Sequence, residues 1–583
     1  MTKNTNLNEL LNQASGLIKA KEFDKVIPVY EAILRIDSTC PKALSHLGIV
    51  YLMKERYQDA VDIINKSFEV MKPLTGDYEN LAFAYKALKD YKNEIYTYKQ
   101  IIKVYPNSTE TYKLLGDAQV KIADYVSALY SYKKALDLEP TKFAQRYDYG
   151  LTLYVSNNHE EALKHLQEAN KIDPNHIECM NKIAGSLSAL GDYKKAKSIY
   201  QKLKKLVPDA LAPQMDYATC LVFEGKYDEP VKLMKNMLIQ KPHFHQAKMN
   251  LSVMYLMNKN FKEGWEAYDV RTILRNELDV NKRYDKLKSY FDIVTDKKDL
   301  KPNDKILILF ESGIGDVILG LSMIKDFHNK FENISAEVDY RLVSLFRRSF
   351  PDIKFYPVKE IEPAELLINH ELENFDKGIY WGSIGKYVRG NISDFPKQKL
   401  SYLKPDANKV KQIQDNVKKG KDVICGIAWK SSAVEGRHKT TLLENLLPVL
   451  LLKGIRFIDL QYETKNNEGQ TALEKEGFFK KHNIKIEEYE GIDKFEDIDG
   501  VAALISNCDI VVTSSNVTAH IAGALGKKTF LYVPYRRGKL WYWHDEDGVS
   551  IWYPSIKIFT AESPGEWGTI FENIANVIKQ KLI

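Results

Sequence analysis

The strongest constraint on the fold is a period of 34 residues that runs through the first half of the chain. Small residues recur at this step, at Ala14, Gly48, Ala82, Gly116, Gly150, Ala184, Ala218 and Ser252. Prolines recur at the same step, at Pro106, Pro140, Pro174, Pro208 and Pro242. A small residue lets two helices approach closely and a proline ends the second helix, so the period predicts stacked antiparallel helix pairs. We expect about eight pairs over residues 1–275 and a connector at 276–300.

One unit of this array resembles the tetratricopeptide repeat most completely. Its matching residues are Tyr112, Leu115, Gly116, Ala128, Tyr132, Ala135 and Pro140. The array departs from the repeat pattern where Glu94 and Pro230 stand in place of a small residue. The resemblance implies a superhelix whose concave wall binds a polypeptide.

The residue two positions before each small residue is expected to face the concave wall. These residues are Asn12, His46, Asn80, Leu114, Asp148, Lys182, Asp216 and Asn250. The asparagines look like the ladder with which O-linked N-acetylglucosamine transferase holds peptide backbones. The candidate substrate-binding residues are Asn80, Asp148, Asp216 and Asn250. Alternatively, these residues are polar only because solvated helix positions usually are.

Residues 301–405 are expected to form an α/β half-domain. The apolar run KILILF predicts a buried strand, and ESGIGD after it predicts a glycine turn that opens a helix. Gly313 and Gly315 permit a tight turn and the close approach of another molecule. Asp316 then stands at the helix start, on the carboxyl edge of the sheet. It is either a base able to take a proton from an acceptor hydroxyl or a helix cap.

Residues 406–583 are expected to form a second α/β half. Within it, the stretch from Cys508 to Pro534 reads as strand, turn, helix and strand. A helix start at the carboxyl edge of a parallel sheet favours phosphate, because its free N–H groups and its dipole attract an anion. The side chains that can add donors there are Ser514, Ser515, Asn516 and Thr518. Alternatively, Ser515 or Asn516 only caps the helix.

Two other predicted strands bring polar residues to the same edge. Lys430 directly follows VICGIAW, where a cation can neutralise a diphosphate. It could equally be an exposed loop lysine. Gln461 or Glu463, after the next strand, could reach a ribose hydroxyl.

The aromatic tail RRGKLWYWHDEDGVSIWYP mixes tryptophans with charged residues. Trp541, Trp543 and Trp552 suit stacking on a sugar or a base, and a rigid lid packed by these tryptophans is the alternative.

The two halves together resemble the GT-B glycosyltransferase architecture. More narrowly, the matching stretches resemble bacterial tetratricopeptide proteins with a heptosyltransferase-like, family 9 type catalytic domain. These stretches are ESGIGD, RSFPDIKFYP, FPKQKLSYLKPD, GIAWK, DLQ, SSNVTAHIAGALGKKT and IWYPSIKIF. Repeats followed by a transferase are also the order in O-linked N-acetylglucosamine transferase and flagellin-modifying transferases. The resemblance implies an all-helical tetratricopeptide superhelix, followed by a GT-B pair of Rossmann-like domains with the acceptor side at 301–405 and the nucleotide-sugar side at 406–583.

The resemblance also implies roles for individual residues. Asp316 would be the catalytic base. The donor cradle would comprise Lys430, Ser514, Ser515, Asn516, Thr518 and His520. The chain departs from the family at Ser312, where glutamine is more common, and at Asn516, where an acidic residue is more common. If catalysis needed that carboxylate, the enzyme would be slow or inactive.

Composition limits the rival functions. A net charge of +6 is too mild to indicate binding of nucleic acid or an anionic membrane. The 5 cysteines lie far apart and fit no metal spacing, which favours a reduced, cytoplasmic compartment. The N-terminus lacks the apolar core of a signal peptide, and no apolar run is long enough to span a membrane. For the transferase that the resemblance implies, we expect no metal and no cofactor besides the donor substrate.

The predicted function is the transfer of a sugar from a nucleotide sugar to a hydroxyl of a protein that the repeats recruit. One alternative is an interaction scaffold with a vestigial transferase domain. Asn516 favours this alternative, because an acidic residue is more common at its position in the family. Another is a transferase that builds surface glycans and uses its repeats for assembly.

Overall fold

The computed structural model describes residues 3–277, 287–311, 313–361, 365–366, 372–396, 401–417, 420, 422–431, 439–463, 469–536, 538–563 and 565–582. Ser312 and part of the predicted connector, 278–286, lie outside the described residues. The chain forms two compact units, 1–203 and 204–583.

The first unit is an array of helices, as the period predicts. They are α1 Lys3–Lys19, α2 Phe23–Ile36, α3 Pro41–Met53, α4 Tyr57–Val70, α5 Thr75–Ala87, α6 Tyr91–Val104, α7 Thr109–Lys121, α8 Tyr125–Leu138, α9 Phe143–Val155, α10 His159–Ile172, α11 Ile177–Ala189 and α12 Tyr193–Leu206. The small residues act as spacers between helices. A Cβ on Gly116 would lie 2.7 Å from the ring of Tyr132, so only glycine lets α7 and α8 approach this closely.

The turns inside the helix pairs repeat with the same period. Each turn places one residue in the left-handed backbone region, at Lys21, Glu55, Lys89, Ala123, Asn157, Gly191, Gly225 and Lys259. In several turns, an Asp or Asn at the next position accepts a hydrogen bond from the first turn of the following helix. Asp90, Asp124 and Asn158 do so at 3.2, 3.1 and 3.4 Å. These caps fix where each second helix begins.

The second unit begins with the last helices of the array. They are α13 Leu211–Phe223, α14 Asp228–Gln240, α15 His245–Met257, α16 Phe261–Tyr268 and α17 Val270–Glu277. Pro230 is the third residue of α14, where the first helical turn has no intrahelical partner for its N–H. The departure from the repeat pattern at Pro230 is therefore tolerated.

A five-stranded sheet follows. Its strands are β1 Asp292–Ile293, β2 Ile306–Leu309, β3 Ile334–Asp339, β4 Lys354–Val358 and β7 Lys377–Tyr380, and a separate hairpin pairs β5 Glu360–Ile361 with β6 Glu365–Leu366. The strand order is β1-β7-β2-β3-β4, with parallel pairing throughout. The helices of this half are α18 Ile314–Leu321, α19 Ile324–His328, α20 Val343–Ser349 and α21 Gly385–Val388.

The second sheet has eight strands in the order β10-β9-β8-β11-β12-β15-β14-β13. The strands are β8 Val423–Ala428, β9 Ile455–Asp459, β10 Ile486–Glu487, β11 Ile510–Ser514, β12 Thr529–Val533, β13 Asp545–Glu546, β14 Val549–Ser550 and β15 Ile556–Thr560. Its helices are α22 Ala407–Val417, α23 Leu447–Leu450, α24 Gln470–His482, α25 Ile498–Asn507, α26 Val517–Ala524 and α27 Gly568–Leu582. The parallel part follows the doubly wound order 3-2-1-4-5-6, counted from β8.

Both sheets are buried between helices, and their strands are apolar runs. All four side chains of β2 and all five of β11 are buried, which is typical of parallel strands covered on both faces. The chain is therefore a long helical array followed by sheets rich in parallel strands. Among the described residues, no helix combines the length and the apolar character needed to cross a membrane.

Candidate functional site

The candidate site lies where the second sheet reverses its winding direction. β8 and β11 are parallel neighbours, but the strands that follow them, β9 and β12, lie on opposite sides. Such a point leaves a crevice at the carboxyl ends of the two strands, and ligands of doubly wound sheets bind there. We call this place, between Ala428 and Ser514, the second crevice. Helix α26 begins at it.

Asn516 both caps α26 and ties the two strand ends together. Its Oδ1 accepts hydrogen bonds from the N–H of Ala519 at 3.3 Å and from Thr513 Oγ1 at 3.1 Å. Its Nδ2 donates to the carbonyl of Lys430 at 3.3 Å and to Ser514 Oγ at 3.3 Å. The side chain is thus engaged in shaping the crevice and already satisfies one first-turn N–H group of the helix, that of Ala519.

The other predicted cradle side chains are almost fully buried. Ser514 is 0% exposed, and Ser515 Oγ accepts a hydrogen bond from Trp543 Nε1 at 2.7 Å. Thr518 is buried against a cavity that is described below. Ser514 and Ser515 therefore support the backbone of the crevice.

His520 is a buried residue of α26 and is held neutral. Its Nδ1 is 2.9 Å from Tyr553 Oη, and its ring packs against Trp543 with centroids 5.0 Å apart. Burial, with a smaller contribution from the charge of Lys439, lowers the pKa of His520 to about 3. An uncharged imidazole cannot neutralise a phosphate, so His520 acts here as a packing and hydrogen-bonding group.

Gln461 lies at the predicted edge but makes different contacts from those expected. Its Oε1 accepts from the backbone N–H groups of Trp429 at 2.9 Å and Lys430 at 2.8 Å. Glu463 accepts from the N–H groups of Gly469 at 2.8 Å and Thr471 at 2.5 Å, at the start of α24. Both side chains thus shape loops at the crevice, and neither is left free for a ribose hydroxyl without exchanging these bonds.

Lys430 is half-buried beside the second crevice and is already paired. Its Nζ lies 2.5 Å from Glu474 Oε2, and each of these side chains is 20% exposed. The same carboxylate accepts from Trp429 Nε1 at 3.1 Å and from the N–H of Leu443 at 2.9 Å. An anion in the crevice would therefore compete with Glu474 for the ammonium group.

Asp316 belongs to the first α/β half, in the opening turn of α18. Gly313 is the N-cap of this helix, and its carbonyl accepts from the N–H of Asp316 at 3.0 Å. The carboxylate is accessible to solvent but has protein around most of it. That loss of hydration, reinforced by Glu311 and opposed by Lys439, raises the pKa of Asp316 to about 6.

Gly313 and Gly315 have separate roles in this turn. A Cβ on Gly315 would lie 2.9 Å from Cδ2 of His520, so this glycine lets α18 pack against α26 and joins the two halves. A Cβ on Gly313 would meet no atom within 4 Å. Gly313 thus leaves open space at the start of α18.

Lys439 is a site residue that the sequence analysis missed. Its charge acts on Asp316 in one half and on His520 in the other. It lies between β8 and α23, where no period or motif of the sequence marks it. Lys439 thus adds a positive charge near the contact between α18 and α26, in addition to that of Lys430.

Two cavities lie beside residues of the candidate site, one at Thr518 and the other at Gln461. One, of about 300 Å³, lies between the halves and is lined mainly by apolar side chains of α18, α25 and α26, with Thr518 at one side. The other, of about 650 Å³, lies over the ends of β9 and β10 and includes Gln461. Tyr462, Lys494 and Phe495 line both cavities, so together they form one cleft.

The tryptophans of the tail are packed into the protein. Trp543 is 0% exposed and Trp552 is 2% exposed, so neither has a free face for a sugar or a base. Trp541 meets Trp265 edge to face, with ring centroids 5.3 Å apart. The packed-lid alternative describes this segment.

The predicted wall residues all occupy the first helix of a pair. Asn80, Asp148, Asp216 and Asn250 lie on α5, α9, α13 and α15, and each is partly exposed. Asp148 lies 3.7 Å from Lys113 Nζ, and burial outweighs this cation and raises the pKa of Asp148 to about 6. Asn250 Oδ1 accepts from Gln246 Nε2 at 3.1 Å. Their role in binding a polypeptide stays a prediction.

Comparison with known families identifies the repeats. The family described as "Tetratricopeptide repeat" matches residues 78–108. The family described as "Anaphase-promoting complex, cyclosome, subunit 3" matches residues 121–203. The chain therefore contains tetratricopeptide repeats, as its period predicts.

The chain is also similar to Protein FlbA of Caulobacter vibrioides (strain ATCC 19089 / CIP 103742 / CB 15). The two are 29% identical over 332 residues. This match covers 54% of the chain and 52% of FlbA, so the chain spans about half the length of this relative.

Solved structures similar to part of the chain are repeat proteins. YrrB, described as a TPR protein with an unusual peptide-binding site, is 24% identical and covers 29% of this chain and 88% of its own, with a TM-score of 0.27. The C-terminal part of a TPR repeat-containing protein from Cytophaga hutchinsonii is 18% identical and covers 41% of this chain and 98% of its own, with a TM-score of 0.34.

Proposed function

We propose that this tetratricopeptide-repeat protein is a glycosyltransferase that moves a sugar from a nucleotide sugar to a hydroxyl of a protein acceptor. The observation that carries the proposal is the placement of two complementary groups on one cleft. The start of α26 lies at the winding reversal of the second sheet, and Asp316 lies on the helix packed against it through Gly315. A pair of doubly wound halves meeting at such a cleft is the GT-B arrangement that the sequence motifs resemble.

In this proposal the second crevice holds the diphosphate of the donor. The first-turn N–H groups of α26 and the charges of Lys430 and Lys439 would stabilise the negative charge that develops on the leaving phosphate. Preorganised donors and charges of this kind are usually the largest catalytic contribution. The cations used are the chain's own, so the proposal invokes no metal.

Asp316 is the proposed general base. It takes the proton of the acceptor hydroxyl as that oxygen forms a bond to the anomeric carbon of the sugar. The bond from this carbon to the phosphate oxygen breaks, and its electron pair leaves with the nucleoside diphosphate. A pKa of about 6 suits the role, because the group is ionised at neutral pH and basic enough to accept a proton.

The repeats would recruit the acceptor, since arrays of this type present long surfaces to polypeptides. A second candidate is an interaction scaffold without turnover, and one observation favours it. The ammonium group of Lys430 is already neutralised by Glu474 at 2.5 Å, so the site is not waiting with a free cation there. Nucleotide binding separates the two candidates, because a scaffold has no need of a donor site.

The test is a thermal-shift panel of the purified protein with uridine, guanosine, adenosine and cytidine diphosphates. A nucleotide present at about a hundred times its dissociation constant should stabilise the fold by nearly 3 kcal/mol. The same panel is run on Lys430→Ala and on Lys377→Ala as a control. Lys377 is also a half-buried paired lysine, 23% exposed and 2.7 Å from Asp292, but it lies in the first sheet.

We expect a stabilisation by one base, lost in Lys430→Ala and kept in Lys377→Ala. Stabilisation that survives in Lys430→Ala would remove that lysine from the site. If no nucleotide stabilises the folded wild-type protein, the transferase proposal fails and the scaffold remains.

A further inference from the structure

We infer that Arg271, in the last helix of the repeat array, is a positioning residue for the turn that carries Asp316. The inference rests on the proposed function, which assigns Asp316 to proton transfer. It concerns the first crevice, which we define as the space between the carboxyl ends of β2 and β7. The winding of the first sheet changes direction here, since the chain runs outward from β2 to β3 and β4 and then crosses back to β7 on the other side of β2.

The guanidinium group of Arg271 grips Glu311 with two parallel hydrogen bonds. Nε donates to Oε2 at 3.0 Å, and Nη2 donates to Oε1 at 2.7 Å. The side chain of Arg271 is 10% exposed and that of Glu311 is 4% exposed. A buried two-point contact of this kind fixes both distance and orientation, which a lysine ammonium cannot do.

Further contacts fill the first crevice with the protein's own charges. Arg271 also donates to Asp269 Oδ1 at 2.9 Å and to Ser383 Oγ at 3.0 Å. Asp269 is in turn paired with Lys386, so two cations balance two carboxylates. The chain has made room for this network, because a Cβ on Gly382 would lie 2.7 Å from Nη2 of Arg271. The place where a ligand would lie in a doubly wound sheet is therefore taken by Arg271.

The network holds one end of the Asp316 turn. Glu311 Oε1 also accepts the N–H of Gly382 at 2.6 Å, so the second residue after β2 is locked to the turn that follows β7. At the other end, the carbonyl of Gly313 accepts from the N–H groups of Asp316 and Val317 at 3.0 and 3.2 Å. Phe310, the first residue after β2, is held separately, because its N–H donates to Glu337 Oε2 at 3.0 Å. The grip on Glu311 acts one residue nearer to Asp316.

The same network connects the turn to the last repeat. The guanidinium carbon of Arg271 lies 4.5 Å from the centre of the Tyr268 ring, and the charge of Asp316 acts on the Tyr268 hydroxyl. The last repeat thus contributes directly to the acceptor side of the cleft. A displacement of a catalytic group by 1 Å can cost about 100-fold in rate, so a fixed turn matters for the proposed proton transfer.

The experiment compares four variants of the full chain. Arg271→Lys keeps the charge but loses the two-point grip, and Arg271→Met loses both. The double variant Arg271→Met with Glu311→Met removes the pair together, which leaves no buried unpaired charge and should protect the fold. Arg456→Met is the control, because Arg456 grips Glu487 in the same way, at 2.9 and 2.6 Å, at the far edge of the second sheet.

Two quantities are measured. One is amide hydrogen exchange in peptides that cover residues 306–321. The other is turnover and nucleotide affinity, with the nucleotide that the thermal-shift panel identifies. We expect amide exchange in the turn to accelerate on the order of tenfold in Arg271→Met and in the double variant, and less in Arg271→Lys. Arg456→Met should leave exchange in the turn unchanged. In Arg271→Met, turnover should fall about 100-fold while nucleotide affinity stays unchanged. The same fall is expected in the double variant, although its stability should be restored.

Unchanged exchange at 306–321 in Arg271→Met would overturn the inference. So would wild-type turnover in the folded double variant, since a merely structural pair can be replaced by apolar side chains. If the wild-type protein binds no nucleotide, the proposed function fails instead. The exchange data then still decide whether Arg271 holds the turn.

Discussion

The two sheets of the second unit share one topological feature, a change of winding direction, but differ in what occupies the crevice there. Each reverses its winding between two central parallel strands, β2 and β7 in the first sheet and β8 and β11 in the second. The first crevice is filled by Arg271, which is 10% exposed and paired with Glu311. The second crevice opens onto the start of α26 and a cavity of about 300 Å³.

This difference shows that the order of strands in a sheet does not by itself decide which crevice can bind a ligand. Doubly wound sheets offer a crevice at each reversal, but a crevice closed by the protein's own charge pair serves structure. In the proposed function, the first crevice joins the last repeats to the Asp316 turn, and the second is left for a donor.

The largest effect is expected from removing the helices that close the first crevice. A chain that begins at Asp209 keeps α13–α17, whereas a chain that begins at Leu287 loses them. The shorter chain also loses the Trp265 Nε1 bond to the carbonyl of Arg389 at 2.8 Å, and leaves Glu311 buried without its arginine. We expect the chain from Asp209 to unfold cooperatively on heating and the chain from Leu287 not to fold. Cooperative unfolding of both would show that the last repeats are dispensable to the α/β halves.

The next largest effect is expected at Asp316. Asp316→Asn removes the proposed base and should lower turnover by about 10²–10⁴-fold. In the wild type, the pKa of about 6 predicts that the rate falls about tenfold per pH unit below that value, because the base becomes protonated. Turnover is measured between pH 5 and 8 beside the control Asp292→Asn, whose side chain is 82% exposed in the same sheet. A pH profile of the wild type without this fall would contradict the assignment.

The raised pKa of Asp316 also predicts how the stability of the fold changes with pH. The folded state binds the proton more tightly than the unfolded chain, so the carboxyl favours folding at low pH. This contribution is lost as the pH rises from about 4 to about 6. Asp316→Asn should therefore gain stability relative to the wild type at pH 7 and not at pH 3, in thermal unfolding at both pH values.

A smaller effect is expected where the two halves touch. Gly315→Ala places a Cβ 2.9 Å from the His520 ring, which is itself held by Tyr553, so we expect a loss of about 1–3 kcal/mol in the free energy of unfolding. Gly313→Ala is the matched variant two residues away. Its Cβ meets no atom within 4 Å and its φ of −62° suits alanine, so its effect should stay within about 0.5 kcal/mol. Equal losses in chemical denaturation would mean that Gly315 is not a point of close packing.

The sequence predicted the repeat array because its signal is repeated many times. A single small residue says little, but small residues and prolines at a shared step of 34 residues leave few alternatives. The left-handed turn residues follow the same step, yet most of them, such as Lys21 and Ala123, are not glycine. They were not predictable, since the packing of the helix pair and not the residue's own preference sets their backbone conformation.

At the candidate site the sequence predicted positions better than contacts. Buried strands followed by polar residues indicated which side chains reach the carboxyl edge, and Lys430, Gln461 and Asn516 do lie there. The partners of these side chains depend on neighbours that are distant in sequence, such as Glu474 for Lys430. The filling of the first crevice by Arg271 was not predicted for the same reason, because 40 residues separate the arginine from its glutamate.

The smallest effect is expected from Glu474→Gln. This variant tests whether the pairing of Glu474 with Lys430 keeps anions out of the second crevice. Glu474 competes with any anion for Lys430, so removing its charge should free the ammonium group. In the wild type, Glu474 Oε2 accepts from Trp429 Nε1 and Oε1 accepts from the N–H of Leu443, so the single oxygen of glutamine keeps one of these two hydrogen bonds. We expect nucleoside diphosphate to bind severalfold more tightly, seen as a larger thermal shift at equal concentration. Lys480→Ala, on the same helix and 72% exposed, should leave the shift unchanged. If Glu474→Gln weakened binding instead, the carboxylate would be holding Lys430 in its binding position. The Lys430–Glu474 pair would then be part of the ligand site, whereas the Arg271–Glu311 pair fills the crevice of the first sheet.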